Sequence, residues 1–395
     1  IILLIDALRT KNLSLFGYEE ENDRNLKKIA SKSILFKQHF STTNATAPAI
    51  TSILTGLYPP SHGIIHQLPY TKKEEIDKVD HVNFWLPSYL KEKGYETMCI
   101  DWVGFWMKKG FDFYGENEDG SETLNRLFIS ARETIDLAIN KIKKSNKPFF
   151  LLTHFWDTHF PFPNVDYKSN SNEEDRKETL ESIKNKSQKD YLKKRIERTN
   201  LYTINDMINK YNLSIREIDK EIGRLFEFLL QTKLLDETII FILGDHGDNL
   251  TDHETYFSPS GLFDDSIHVP MILHIPGIEK KQIKELTQHV DIMPTILELI
   301  GQKEEISEGK SMLSLIKKEE SIREVILAFD GLCNNIKCAR TKNKKLIMAT
   351  DNFCNLCKSS HHKGIEEYDL EKDPDEEYNV FSGKSELSKF LEAYP

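Results

Sequence analysis

The sequence predicts an α/β protein, a mostly parallel sheet flanked by helices with a smaller antiparallel β unit at the carboxyl end. Three observations lead there. Short apolar runs rich in Ile, Leu and Phe recur at wide spacing, as in Ile1 to Ile5, Phe149 to Thr153 and Thr238 to Gly244. Charged stretches of helical character separate them, the alternation that builds parallel sheets. After Ile300 the pattern changes to short, closely spaced strand signals.

Taken in order, Ile1 to Ile5 runs straight into Asp6. Residues 10 to 33 read as a loop and a helix with Leu26, Ile29 and Ala30 on one face, and 34 to 40 as a second short strand. Residues 41 to 56 are a polar turn feeding a helix that stops at Gly56. Pro48 fits its first turn, and Thr46 stands at its amino end, where unpaired amides and the helix dipole favour an anion; a simple N-cap role would use the same residue. Thr97 to Ile100 ends at Asp101, and Phe149 to Thr153 ends at His154 and Asp157. Residues 164 to 200 are dense in charge and form a surface excursion that either caps the site after His159 or is a solvated insertion.

Thr238 to Gly244 reads as a strand buried on both faces that delivers Asp245 and His246, and Met271 to Leu273 ends at His274. Parallel strands bring their carboxyl ends to one edge, so these polar residues are expected to converge. Val290 to Ile300 is a helix closed by Gly301; Glu319 to Phe329 and Lys345 to Ala349 are strands of the last unit. The expected division is a catalytic domain over 1–315, with 164–200 as its insertion, and a small α+β subdomain over 316–395.

The chain has 395 residues and a formal charge of -10, so no general attraction to nucleic acid is expected. No apolar run reaches the roughly 18 residues of a membrane span. No leader precedes the first strand, but the chain opens inside that strand; localisation stays open, with the cytoplasm favoured. Asn12, Asn44, Asn185 and Asn212 begin glycosylation triplets that a chain rich in Lys and Asn produces by chance.

A family resemblance rests on an ordered series. It comprises Ile-Asp6-Ala-Leu-Arg9, Thr46-Ala-Pro-Ala-Ile-Thr-Ser-Ile-Leu-Thr-Gly, His154-Phe-Trp-Asp-Thr-His-Phe-Pro and Gly244-Asp-His-Gly, with echoes at Ile267-His-Val-Pro and Tyr368-Asp-Leu-Glu-Lys-Asp-Pro. The series resembles the sulfatase branch of the alkaline phosphatase superfamily over nearly the full length. Where sulfatases carry the Cys or Ser that becomes formylglycine in Cys/Ser-x-Pro-Ser-Arg, this chain has Thr46, with Pro48 at the proline, Ala49 at the serine and Ile50 at the arginine. Threonine cannot become formylglycine. The family's Gly-Lys-Trp-His segment is replaced by Ile100-Asp-Trp-Val-Gly-Phe-Trp. Threonine nucleophiles belong to the phosphodiesterase and phospho-headgroup transferase relatives, which the chain is therefore expected to follow.

Asp6, Asp245 and His246, with the Thr46 oxygen, suit one divalent cation such as Zn, Mn, Ca or Mg. A metal that lowers the pKa of Thr46 turns a poor nucleophile into one able to attack phosphorus, giving a phosphothreonine released by water or an acceptor alcohol. The expected function is a phosphoester hydrolase or transferase acting on a small-molecule, lipid or glycan ester. A sulfuric ester hydrolase and a catalytically silent binding protein are the alternatives. Asp157, His159 and His268 are candidates for a second cation or for substrate contacts, or else packed core residues beside Pro161 and Pro270. His62, His66, His253 and His274 are read as structural or exposed. Cys333, Cys338, Cys354 and Cys357 fit a structural zinc site, two disulfides or free thiols.

Overall fold

Ile2–Ile5 is apolar and buried at every position, as a strand covered by helices on both faces must be. This strand, β1, lies inside an eight-stranded sheet. The structure is a computed structural model that describes residues 1–100, 105–115, 129–302, 307–332, 335–350, 353–362 and 364–394. Its further strands are β2 (Ile34–Phe36), β3 (His39–Phe40), β4 (Glu96–Ile100), β5 (Phe113–Tyr114), β6 (Phe149–Phe155), β7 (Ile240–Gly244), β8 (Met271–His274), β9 (Lys281–Ile283) and β10 (Thr287–Gln288). The large sheet has the order β5-β4-β6-β1-β7-β8-β2-β9, and β3 and β10 form a separate parallel pair.

All neighbours in the large sheet pair in parallel except at β8, which runs against both β7 and β2. This corrects one expectation: β8 is reversed, and its His274 pairs with Ile240 at the start of β7, at the edge opposite Asp245. The strand end at Asp101 falls outside the described residues.

Alternation along the strands sends Ile2, Leu4, Leu152 and Leu243 to one core and Leu3, Ile5, Leu151 and Ile242 to the other. Ala47, Ile50, Ile53 and Leu54 of the helix Thr46–Thr55 fill the first core. The second is covered by the helices Ala131–Lys144 and Ile204–Gln231, the latter started by Thr203 and Asp206 in a reciprocal capping box. The charged excursion contains the helices Glu173–Ser182, with no buried residue, and Lys186–Thr199, which buries Gln188, Leu192 and Ile196.

The carboxyl-terminal part adds an antiparallel sheet of β11 (Ile326–Phe329), β12 (Ile336–Arg340), β13 (Lys344–Ala349) and β14 (Ile365–Asp369). β11 starts later than expected, at Ile326, and Glu319 instead closes the helix Leu313–Lys318 in the left-handed conformation. A bridge between Thr43 and Phe329 ties this sheet to the segment leading into Thr46.

Candidate active site

Register explains the site. β1 pairs with β6 so that Leu4 lies opposite His154, and with β7 so that Ile5 lies opposite Gly244. The period of two then puts Asp6, His154 and Asp245 on the face shared by Leu4 and Leu243, toward the Thr46–Thr55 helix. One ligand atom from each of Asp6, His154 and Asp245 lies within 4.8 Å of the others. His154 Nε2 is 3.6 Å from Asp6 Oδ2 and 3.7 Å from Asp245 Oδ2.

Thr46 is the first helical residue, behind an extended Ala45. Its hydroxyl lies 3.2 Å from Asp6 Oδ2 and 3.2 Å from His246 Nε2. His246 Nδ1 is 2.7 Å from the Gly247 carbonyl, which only accepts, so Nδ1 carries a proton and Nε2 is the nitrogen that faces Thr46. The hydroxyl thus stands between a carboxylate oxygen and an imidazole nitrogen.

Asp245 is held from behind. Its Oδ1 accepts from the amides of Ala7 and His246, at 3.0 and 2.7 Å, and leaves Oδ2 to face His154 and His246. Burial opposes its ionisation, but the His246 and His154 rings and the amides more than compensate and hold the carboxyl well below the usual range. Ala7 has a φ of 51°, an uncommon conformation for a residue with a side chain, and Tyr211 secures it by donating to its carbonyl at 2.8 Å. Gly247 is required on steric grounds: a Cβ there would stand 2.0 Å from the Asp265 carbonyl oxygen.

Two buried carboxylates this close carry a desolvation cost of several kcal/mol each unless positive charge joins them. The 3.6 and 3.7 Å separations exceed hydrogen-bonding length and suit side chains that share an ion. Oxygen and imidazole donors fit a divalent cation, which Asp6, His154 and Asp245 would hold with Thr46 and His246 alongside.

The other expected residues divide. His159 lines the same cavity of about 660 Å3 as Thr46 and His246. Burial, with Arg195 and His246 nearby, pushes its pKa down to about 4. Asp157 instead accepts from the Ala131 amide at 3.1 Å at the start of the Ala131–Lys144 helix, and burial raises its pKa to about 6. His268 borders a different cavity, with Nε2 against the Lys37 carbonyl at 2.9 Å and its ring stacked on Phe40. No second cluster forms from these three.

Among the described cysteines there is no disulfide. Cys354 and Cys357 group with His361 rather than with Cys338, which is buried in β12; Cys333 lies outside the described residues.

His154, one of the strand-end residues expected to converge, stands in the cluster itself, and the signal for that role is parity, since it sits two positions after Leu152 on the same face. Two further residues carry no expectation from the sequence. Asp248 is buried at the cavity, its Oδ1 has no hydrogen-bond partner among the described residues, and burial raises its pKa to about 7 against the pull of Arg195, His246 and Arg9. Arg195 lies over the Phe160 and Tyr191 rings at 4.1 and 4.7 Å and lines the cavity with Lys194, Arg198 and Lys358.

Comparison with known proteins identifies the family and the fold. The family model described as sulfatase matches residues 1–302, and that of the carboxyl-terminal part of N-sulphoglucosamine sulphohydrolase matches 252–392. An ulvan-active sulfatase of Formosa agariphila is 25% identical over 362 residues, covering 84% of this chain; the chain spans 57% of that relative's length. A solved structure of a protein bound to its substrate D-glucosamine-2-N,6-O-disulfate superimposes with TM-score 0.73 at 19% identity, covering 100% of this chain and 96% of the other. The phosphonate monoester hydrolase of Agrobacterium radiobacter gives 0.69 at 18%, with 100% and 93% covered. Matched over more than half its length by the sulfatase model, and sharing this fold from end to end, the chain belongs to the sulfatase family.

Proposed function

We propose that the protein is a metal-dependent hydrolase of anionic esters, with sulfuric esters as the first class. The observation that carries the reading is Thr46 at a helix amino end, 3.2 Å from both Asp6 and His246 and beside the buried Asp6–His154–Asp245 cluster. The order of ester classes differs from the one expected on Thr46 alone, because relatives matched over most of the chain carry the sulfatase name.

A divalent cation in the cluster would lower the pKa of the Thr46 hydroxyl and neutralise charge on the substrate. The chain's own groups account for the rest. Thr46 loses its proton to one of its two flanking groups, and its oxygen attacks the central atom of the ester. The bond to the alcohol oxygen breaks, and that oxygen takes up a proton as it leaves, from the protonated carboxyl of Asp248 in this reading. Water then cleaves the threonine ester, restores the hydroxyl and releases the inorganic anion. The amino end of the helix at Thr46 favours the negative charge throughout by its dipole, the Ala47 amide being taken by Gln67.

One observation favours phosphoric or phosphonic esters as a second reading: residue 46 carries a hydroxyl that cannot be oxidised to formylglycine. Nitrophenyl sulfate, phosphate monoester, phosphate diester and phosphonate monoester, each assayed with Ca, Mg, Mn and Zn, separate the two. Turnover dominated by the sulfate supports the first reading, turnover dominated by a phosphorus ester the second, and activity on none overturns both.

The cavity wall narrows the substrate. Lys194, Arg195, Arg198 and Lys358 bring four cations to its lining, together with Tyr70 and Tyr191. This suits a glycan-like molecule with more than one anionic group.

A further inference from the structure

We propose that Cys354, Cys357 and His361 form a second metal site, holding a zinc ion that braces one wall of the active-site cavity. The three occur as Cys-x2-Cys-x3-His, and their ligand atoms all lie within 4.8 Å of one another. Both cysteines are buried, and neither is in a disulfide. Two sulfurs and an imidazole are a donor set for zinc and a poor one for the hard cations that carboxylates favour. This distinguishes the site from the Asp6 cluster.

The loop is already shaped to hold an ion. The Cys354 amide donates to the Ser359 carbonyl at 3.0 Å, and the Lys358 amide, with Lys358 in the left-handed conformation, donates to the Cys354 carbonyl at 3.0 Å. These bonds fold the two cysteines onto one side of a tight turn closed by the Phe353–Ser360 bridge. His361 is oriented from outside: its Nδ1 lies 3.0 Å from the Thr255 hydroxyl, while Nε2 faces the Cys357 sulfur at 2.9 Å. A neighbouring oxygen that engages one ring nitrogen and leaves the other for the metal is a usual support for a histidine ligand. Ser260 Oγ lies 3.1 Å from the Cys354 sulfur.

The position gives the site a consequence. Leu356, Cys357 and Lys358 line the cavity that contains Thr46. Asn355, between the cysteines, reaches the Leu332 carbonyl with its amide at 3.2 Å and its side chain at 3.0 Å. The adjacent Gly331 amide donates to Asn44 Oδ1 at 2.8 Å, two residues before Thr46. An ion fixing the turn therefore fixes both the wall and a contact behind the nucleophile.

The test uses the whole chain, purified with reductant and loaded with zinc, then with cobalt. The proposal expects about one metal per chain that survives loss of the active-site cation, with sulfur-to-cobalt charge-transfer absorption and tetrahedral visible bands. Asp245→Asn should keep those bands. Cys357→Ser should abolish them, and Cys338→Ser should leave them unchanged. Zinc loss should also raise hydrogen exchange over residues 353–362. Absence of thiolate bands in the cobalt-loaded wild-type protein would overturn the proposal even if the variants fail to fold. So would a Cys354–Cys357 disulfide in the reduced preparation, or undiminished bands in Cys357→Ser.

Discussion

At the scale of single residues, the proposed mechanism gives Thr46 the nucleophile's part and Asp248 the acid's. Thr46→Ala should lower kcat by about three orders of magnitude or more while leaving cation binding largely intact, because a lost nucleophile removes the two-step route. Thr46→Ser should keep part of the rate; a Thr46→Ala enzyme of near-normal activity would end the nucleophile assignment. His154→Ala should lose bound cation, measured by metal analysis, since it removes one of three candidate ligands that converge on one point. Asp248 makes a pH prediction. Burial lifts its pKa to about 7, so its carboxyl is protonated below that value. If it supplies the leaving-group proton, kcat/KM falls as pH rises through about 7, and Asp248→Asn removes that limb while lowering the plateau. A pH profile unchanged by Asp248→Asn would assign the proton elsewhere.

Among the elements, the helix Lys186–Thr199 has the clearest role. It packs through Leu192 and Ile196 and turns Lys194, Arg195 and Arg198 toward the cavity that holds Thr46. Arg195 is further positioned by the Phe160 and Tyr191 rings. Replacing Lys194 and Arg198 together by alanine should raise KM for a doubly charged sulfated sugar roughly tenfold or more, with little change for a singly charged aryl ester. Equal effects on both substrates would mean that the helix acts on folding or general attraction, not selection. Arg340 and Lys345 of the last sheet donate to Asp264, and the next residue's carbonyl, that of Asp265, stands against Gly247, so the last sheet and the site share structural supports.

For the molecule as a whole, the buried histidines set an acid limit. Burial lowers His39 well below its ordinary value, His62 to about 3, and His159, His268 and His289 to about 4. Each is neutral when folded and takes up a proton near pH 6.5 when unfolded. The unfolded state therefore binds more protons below 6.5, and stability is lost as pH falls from about 6.5 toward 4. Asp157 and Asp248, raised by burial to about 6 and 7, oppose this by taking up protons in the folded state, so five histidines against two carboxyls leave a slope of at most ~4 kcal/mol per pH unit and a drop in melting temperature over that window. His62→Gln, able to keep the contact with Ser52, should flatten it; a flat profile between pH 6.5 and 4.5 in the parent chain would contradict the account.

What the sequence determined by itself was the kind of fold and the main strand ends. Runs such as Ile1 to Ile5 and Thr238 to Gly244 are apolar at consecutive positions, which only a sheet covered on both faces accommodates, and each leads directly into Asp6 or Asp245. The helix beginning at Thr46 was equally plain, since Pro48 and Gly56 mark its two ends. Tertiary structure decided which polar residues meet. His154 joins Asp6 and Asp245 because the pairing register places it opposite Leu4, and register is a relation between strands that no single segment records. His274 is carried to the other edge because β8 is reversed. His268 and Asp157 are turned to other neighbours, and His361 reaches Cys354 and Cys357 only through the fold of one turn. Local apolar patterning specifies elements; direction, register and packing, which depend on distant partners, specify the site.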